Sequence, residues 1–191
     1  RGRLTAGDSV LLIGAGNQGL LQYQLVKRAA AKQVFMVELK GMRADVARSL
    51  GATVFDPQEV NVVEEIKKRT GGDGVDLAID DAGQSETLTM ALQCTRNQGR
   101  VVEVGIFEKP ATFNINDLVL HERELIGILN TGCQIPTAIQ FLADGRVDPT
   151  PLISNRISLE DVVEKGFEEC VVHKANNVKV IVNCNPDLWD A

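Results

Sequence analysis

Aromatic side chains make up only 4% of this sequence, which has two histidines and a single tryptophan. Proteins that hold single-stranded nucleic acid stack bases on aromatic platforms, and this chain has few to offer. Basic residues are not in excess either: 20 Lys and Arg stand against 26 Asp and Glu, for a net charge of −6. With a pI near 5.0 the chain lacks the cationic face that a nucleic-acid backbone or an anionic membrane surface attracts. Long apolar runs are missing as well. None exceeds residues 10–13 (VLLI), far short of the ~20 residues that span a bilayer. No signal-peptide pattern is present. The four cysteines, Cys94, Cys133, Cys170 and Cys184, are separated by 39, 37 and 14 residues and form no C-x-x-C. That spacing excludes a zinc knuckle and a compact disulfide framework, so reduced thiols in a cytoplasmic protein are expected. The chain opens at Arg1, which points to processing or to a longer parent protein.

What is present is an ordinary globular composition of 191 residues, 44% hydrophobic and 24% charged, enough for one domain of usual size. Short apolar runs alternate with helical stretches. Strands are expected at residues 10–13, 33–39, 53–55, 75–79, 100–104 and 125–129. Helices are expected at about 19–31, 42–50, 60–69, 86–94 and 136–143. This alternation predicts an α/β fold: a Rossmann-type, doubly wound parallel sheet of six strands in the order 3-2-1-4-5-6. The pattern breaks at Asp148-Pro149-Thr150-Pro151. A helix near 159–170 and an apolar strand at 178–182 follow, without evident partners in the chain. Residues 1–146 therefore read as a dinucleotide-binding domain and 147–191 as a segment returning to another domain.

The first strand runs directly into Gly14-Ala15-Gly16-Asn17-Gln18-Gly19. In a dinucleotide-binding turn, Gly14 permits the tight turn, Gly16 lets a pyrophosphate approach the backbone, and Gly19 lets helix and strand pack closely. The helix start offers free N–H groups and a partial positive charge. Asn17 and Gln18 either donate to phosphate oxygens or simply solvate that helix start. Glu38, 19 residues after Gly19 and at the end of the second strand, can accept from both ribose hydroxyls of an adenosine, with Leu39 beside it. Its charge would repel a 2′-phosphate, which favours NAD over NADP. Lys40 and Arg43 stand close behind; a cation there could tolerate a phosphate, or Arg43 could stack on adenine. The expected sheet order places the nicotinamide half over the ends of strands 4 to 6, at Asp81, Ala82, Gly105, Ile106, Leu129 and Asn130. Asp80 and Asp81 are adjacent on a strand and so face opposite sides, which argues against an acid–base dyad.

Other pieces of the sequence extend these. Residues 7–16, Val37-Glu38-Leu39, Gly51-Ala52, residues 72–76, residues 79–83, Gly99 through Gly105, residues 113–119, residues 124–127, Gly166-Phe167-Glu168 and residues 179–182 together resemble medium-chain, zinc-dependent alcohol and polyol dehydrogenases. The likeness covers nearly the whole chain, and the butanediol, sorbitol and threonine dehydrogenase branch is nearest. It implies hydride transfer between a secondary alcohol and NAD in the intact protein, with a small alcohol or ketone as substrate. It also implies a catalytic zinc, yet no residue of this chain matches a family zinc ligand, so no metal or catalytic residue is expected here. Asn17 and Gln18 depart from the Pro and apolar residue usual in the family, and His121 stands where Lys is common. The resemblance implies a homo-oligomer paired along the edge beyond strand 6. Two other readings remain: a stand-alone nucleotide-binding or redox-sensing module, and part of a zinc-independent quinone-type reductase.

Overall fold

Five consecutive buried residues, Ser9–Ile13, form the central strand β1. A strand covered on both faces needs such an uninterrupted apolar run, because neither face alternates toward water. The computed structural model describes residues 1–129 and 134–185. Helix α1 (Asn17–Arg28) leads to β2 (Gln33–Val37), α2 (Met42–Ser49) and β3 (Thr53–Phe55). Helix α3 (Val62–Arg69) then leads to β4 (Val75–Asp80), α4 (Ser85–Cys94) and β5 (Thr95–Glu103). A short α5 (Asn116–Val119), β6 (Glu124–Gly127) and α6 (Ile135–Ala143) complete the alternation. All six strands run parallel in the order β3-β2-β1-β4-β5-β6, as the sequence predicts.

Two apolar layers sandwich the sheet. On one face Leu11, Ile13, Phe35, Ala78 and Val101 pack with Ile66, Leu88 and Leu92 of α3 and α4. On the other, Val10, Leu12, Met36 and Leu77 pack with Leu20, Tyr23 and Val26 of α1. Alternate residues of β1 thus serve opposite layers, the two-residue period of a strand. Helix α3 also carries local signals. Asn61 Oδ1 accepts from the Glu64 N–H at 3.3 Å, while Glu64 and Glu65 occupy the first turn and Lys67, Lys68 and Arg69 the last. Both charge placements oppose the helix dipole favourably.

Several boundaries differ from expectation; β2 stops at Val37 rather than at residue 39, and β6 spans Glu124–Gly127 rather than 125–129. Helix α1 begins at Asn17 rather than Gly19, so the glycine loop is already its first turn. Strand β5 begins at Thr95, and the segment 97–99, which reads as a turn, is a bulge: Val75 pairs with Thr95 but Leu77 pairs with Arg100. Gln98 takes a φ of 57° there. The tail differs most. Its strand β8 (Lys179–Asn183) is not unpartnered: it pairs in parallel with β7 (Ile153–Ser158) in a separate two-stranded sheet. A π-helical segment (Val162–Glu168) and α7 (Glu169–Val172) connect the two. The apolar residues of β7 are separated by Ser154, Asn155 and Arg156, which hid the strand from a reading by apolar runs.

The tail is anchored on the main sheet's helices. Asp148 N–H donates to Gln24 Oε1 at 2.7 Å, and Gln24 Nε2 donates back to Asp148 O at 2.8 Å. Leu152 and Val178 join the α1 layer. Arg43 Nε donates to Asn177 O at 3.0 Å.

Candidate functional site: the carboxyl edge of the sheet

The carboxyl ends of β1, β2, β4 and β5 meet at the point where the strand order reverses. Gly14 leaves β1 with a φ of +101°, a conformation that costs a side-chain-bearing residue energy. A Cβ on Gly19 would stand 2.0 Å from Gly14 O, so the strand–helix approach requires glycine there. A Cβ on Gly16 would meet nothing within 4 Å. The loop is therefore tight beneath and open above, over Gly16. Its first intrahelical bond runs from Leu20 N–H to Gly16 O at 3.0 Å, and no side chain caps the helix. The N–H groups of Asn17, Gln18 and Gly19 precede that bond and point out of the helix start. This cradle fits a pyrophosphate.

Glu38 stands at the loop's edge, one residue past β2. Its Oε2 accepts from the Ala15 N–H at 2.6 Å, and its Oε1 accepts from the Leu39 N–H at 3.0 Å. Half-buried and doubly held, the carboxylate borders the open space at the place expected for an adenosine ribose. Leu39 and Lys40 are exposed beside it. Arg43 is turned toward the tail by its bond to Asn177 O.

The other half of the edge is built by two glycines. Gly83 has a φ of +67°, and a Cβ on Gly105 would lie 2.3 Å from Gly83 N. The ends of β4 and β5 thus touch backbone to backbone, with Ala82 in that contact. Beyond it, Ile106 is 81% exposed and Leu129 is 79% exposed at the same edge. Asn130 lies outside the described residues. Two large apolar side chains facing solvent over a polar strand end suit a covering ligand or protein surface.

Asp80 and Asp81 do face opposite sides. Asp80 is fully buried and its Oδ1 accepts from the Ala82 N–H at 2.8 Å. Asp81 Oδ1 accepts from Gln22 Nε2 of α1 at 2.8 Å, and its Oδ2 lies 3.5 Å from the Cβ that Gly19 lacks. An acid is thus lodged under the glycine loop. Burial raises its pKa to about 7 against the Gln22 hydrogen bond, with the Asp80 charge pushing the same way. Glu103, paired in register with Asp80, is raised to about 8 by burial and then by the charge of Asp80. Asp81 Oδ2, Glu103 Oε2 and Gln22 Oε1 are buried without protein partners. The sequence reading missed Gln22 and Glu103. Glu103 was visible as an acid interrupting the apolar run 101–104 (VVEV); Gln22 carried no signal, since its role comes from the packing of α1 over β4.

Among the described residues no group of three His, Cys, Asp or Glu could hold a metal. Cys94 is buried and its thiol pushed up to about 12, chiefly by desolvation, while Cys170 and Cys184 are exposed and free. Cys133 lies outside the described residues. His121 contacts Asn97 at the amino end of the sheet, away from this edge, and His173 lies in the tail.

The sequence profile of the zinc-binding dehydrogenase family matches residues 19–144. An (R,R)-butanediol dehydrogenase of Bacillus subtilis is 36% identical over 184 residues, covering 96% of this chain and 53% of the relative. The crystal structure of 2R,3R-butanediol dehydrogenase from Bacillus subtilis superposes with a TM-score of 0.88 at 35% identity, over 96% of this chain and 53% of that one. A zinc-binding dehydrogenase from Sinorhizobium meliloti, solved bound to NADP, superposes with a TM-score of 0.87 at 27% identity, over 96% of this chain and 54% of that one. The chain spans about half the length of these relatives. Sheet order, glycine loop and sequence likeness agree, and the chain belongs to the zinc-binding dehydrogenase family.

Proposed function

We propose that this chain is the NAD(H)-binding half of a zinc-dependent alcohol or polyol dehydrogenase, whose intact form transfers hydride between a secondary alcohol and NAD. One observation carries the reading: a glycine loop open only over Gly16, bordered by the Glu38 carboxylate. The N–H groups of Asn17, Gln18 and Gly19 hold the pyrophosphate, with the Asn17 and Gln18 side chains as further donors. Glu38 accepts from the ribose hydroxyls, and its charge disfavours a 2′-phosphate. Asp81, Ala82, Gly105, Ile106 and Leu129 border the nicotinamide, a role the sequence pattern also assigns to Asn130. When bound, the nicotinamide supplies the hydride chemistry. Ile106 and Leu129 then exclude water from it. Among the described residues no three His, Cys, Asp or Glu stand together as a zinc site; in this reading the zinc ligands come from the part of the relatives' length that this chain does not match.

The domain division at residue 146, a cytoplasmic location and self-association form part of the same proposal. Support for self-association comes from α6, an apolar helix with no buried residue, and from exposed Val119, Leu120, Ile135, Ile139 and Leu142 around the β6 edge. A stand-alone nucleotide-binding module is the second reading. It gains from the β7–β8 pairing, which gives the tail's strand a partner within this chain.

Calorimetric titration with NADH and separately with NADPH tests the proposal. Selective NADH binding, lost in Glu38→Ala, is the expected result. Preference for NADPH would overturn the role given to Glu38 and shift attention to Lys40 and Arg43. Binding of neither would overturn the cofactor reading for this chain.

A further inference from the structure

A second site lies at the opposite, amino end of the sheet. There the turn between α3 and β4, the bulged start of β5 and the turn before β6 line an open pocket of about 410 Å³. Its charged and polar walls are Lys67, Asp73, Arg96, Asn97, His121 and Arg123. We propose that this pocket binds a small phosphate-bearing dianion, independently of the dinucleotide.

The argument begins with charge. In a chain of net charge −6, three permanent cations converge on this pocket while Asp73 is the only carboxylate in its lining. Arg123 is half-buried and its guanidinium bonds only carbonyls: Nη1 donates to Asp117 O at 2.6 Å and Nε to Arg96 O at 3.3 Å. The nearby Asp117 carboxylate accepts instead from Gln93 Nε2 at 3.3 Å. Burial presses the Arg123 guanidinium below its ordinary pKa, the mark of a cation short of solvent and of a bonded acid. Arg96 does have an acid partner: its Nε donates to Asp76 Oδ1 at 2.6 Å, and its Nη1 donates to Asn97 O at 2.7 Å. Its Nη2 remains. The Lys67 ammonium, on the last turn of α3, has no hydrogen bond or ion pair among the described residues; its carbonyl accepts from the Thr70 and Gly72 N–H groups. His121 Nδ1 meets Asn97 Oδ1 at 2.9 Å, leaving Nε2 for a ligand. The remaining Nη2 groups of Arg96 and Arg123 and the Lys67 ammonium are a donor set suited to phosphate oxygens, joined by His121 Nε2 when the ring is protonated.

The walls are also pre-set. Gln98 and Glu122 hold positive φ values of 57° and 51°, rare for residues with side chains. The two turns are fastened to each other by Gln98 N–H to His121 O at 2.9 Å and by Gln98 Nε2 to Glu122 Oε2 at 2.7 Å. The pocket's volume is within the range of small-molecule sites and suits a sugar phosphate better than a dinucleotide.

The test is an NMR titration of the 15N-labelled chain with inorganic phosphate and, in a separate run, with ribose 5-phosphate, each with and without NADH. Amide shifts at Gly72, Asp73, Arg96 and Asn97 and a shift of the His121 ring resonances are expected with either probe, unchanged by NADH. Charge reversal in Lys67→Glu should weaken binding about tenfold and Lys67→Met by less, since the Lys67 ammonium is exposed and lacks a structural partner. Tighter binding of the sugar phosphate would assign the site to a phosphorylated metabolite, and equal binding to free phosphate; both support it. The proposal is overturned if the shifts appear only at residues 14–19, if the folded Lys67→Glu chain titrates like the parent, or if no shift appears at millimolar phosphate. Failure of NADH itself to shift residues 14–19 would count against the dinucleotide reading and leave this result legible.

Discussion

The residue with the most to answer for is Asp81. A carboxyl raised to about 7 by burial is mostly ionised in the unfolded chain above pH 4 but still protonated in the folded one. Stability is therefore lost as pH rises from about 4 toward 8, and levels off above that. Asp81→Asn should remove the Asp81 share of that slope, leaving the share that Glu103 adds in the same direction, and raise stability near pH 8 by about 2 kcal/mol, as followed by urea melts across pH. The same carboxylate lies beneath the glycine loop, so NADH affinity should fall as pH rises through about 7, where the folded-state carboxyl ionises, and should fall less in Asp81→Asn. A parent chain with pH-independent affinity would show that the ionised acid is not felt at the loop. Gly19→Ala makes a different point. Its Cβ would stand 2.0 Å from Gly14 O, a backbone atom that cannot step aside. A loss of about 3 kcal/mol and of measurable NADH binding is expected.

At the scale of elements, the interlocked ends of β4 and β5 set the edge on which Ile106 is displayed. Gly105→Ala drives a Cβ into Gly83 N, so the edge must open. We expect a stability loss of about 2 kcal/mol or more by chemical denaturation, with NADH affinity lost well before the fold. The elements themselves were largely legible. β1, β2 and β4 are apolar runs of strand length between turn residues, and sheet order followed from their alternation with helices. Gly14, Gly16, Gly19 and Glu38 were legible because glycine and a lone acid after a strand have few other reasons to stand there. β7 was not, since Ser154, Asn155 and Arg156 break its apolar pattern and its pairing with β8 is fixed by a distant segment. The bulge at 97–99 was read as a turn because local sequence cannot say whether a kinked segment stays in a ladder. Neither could it place Gln22 beside Asp81, a contact made only when α1 packs over β4.

For the molecule as a whole, the unclaimed surface is that of α6 and the β6 edge. A helix reading Ile-Pro-Thr-Ala-Ile-Gln-Phe-Leu-Ala has no buried residue, and Ile135, Ile139 and Leu142 are exposed on it. Sedimentation velocity over a concentration series should show reversible self-association, shifted to monomer by Ile139→Lys. A monomer at all concentrations would leave this face to another segment or partner. The two ends of the sheet are otherwise opposite in character. The carboxyl edge gathers buried acids around a loop open to a dinucleotide, and the amino edge gathers cations around a separate pocket.

The bond between Glu38 and the Ala15 N–H has a consequence for how coenzyme preference can change. The carboxylate proposed to select the ribose also pins the turn proposed to receive the pyrophosphate, through its bond to the Ala15 N–H. A substitution that welcomes a phosphorylated ribose by removing the acid also strips the Ala15 amide of its acceptor. An engineer, or a lineage, must supply a new acceptor in the same step or pass through a weakened intermediate. Preference at this site should therefore shift by paired substitutions, with single changes at Glu38 giving poor binders of either coenzyme.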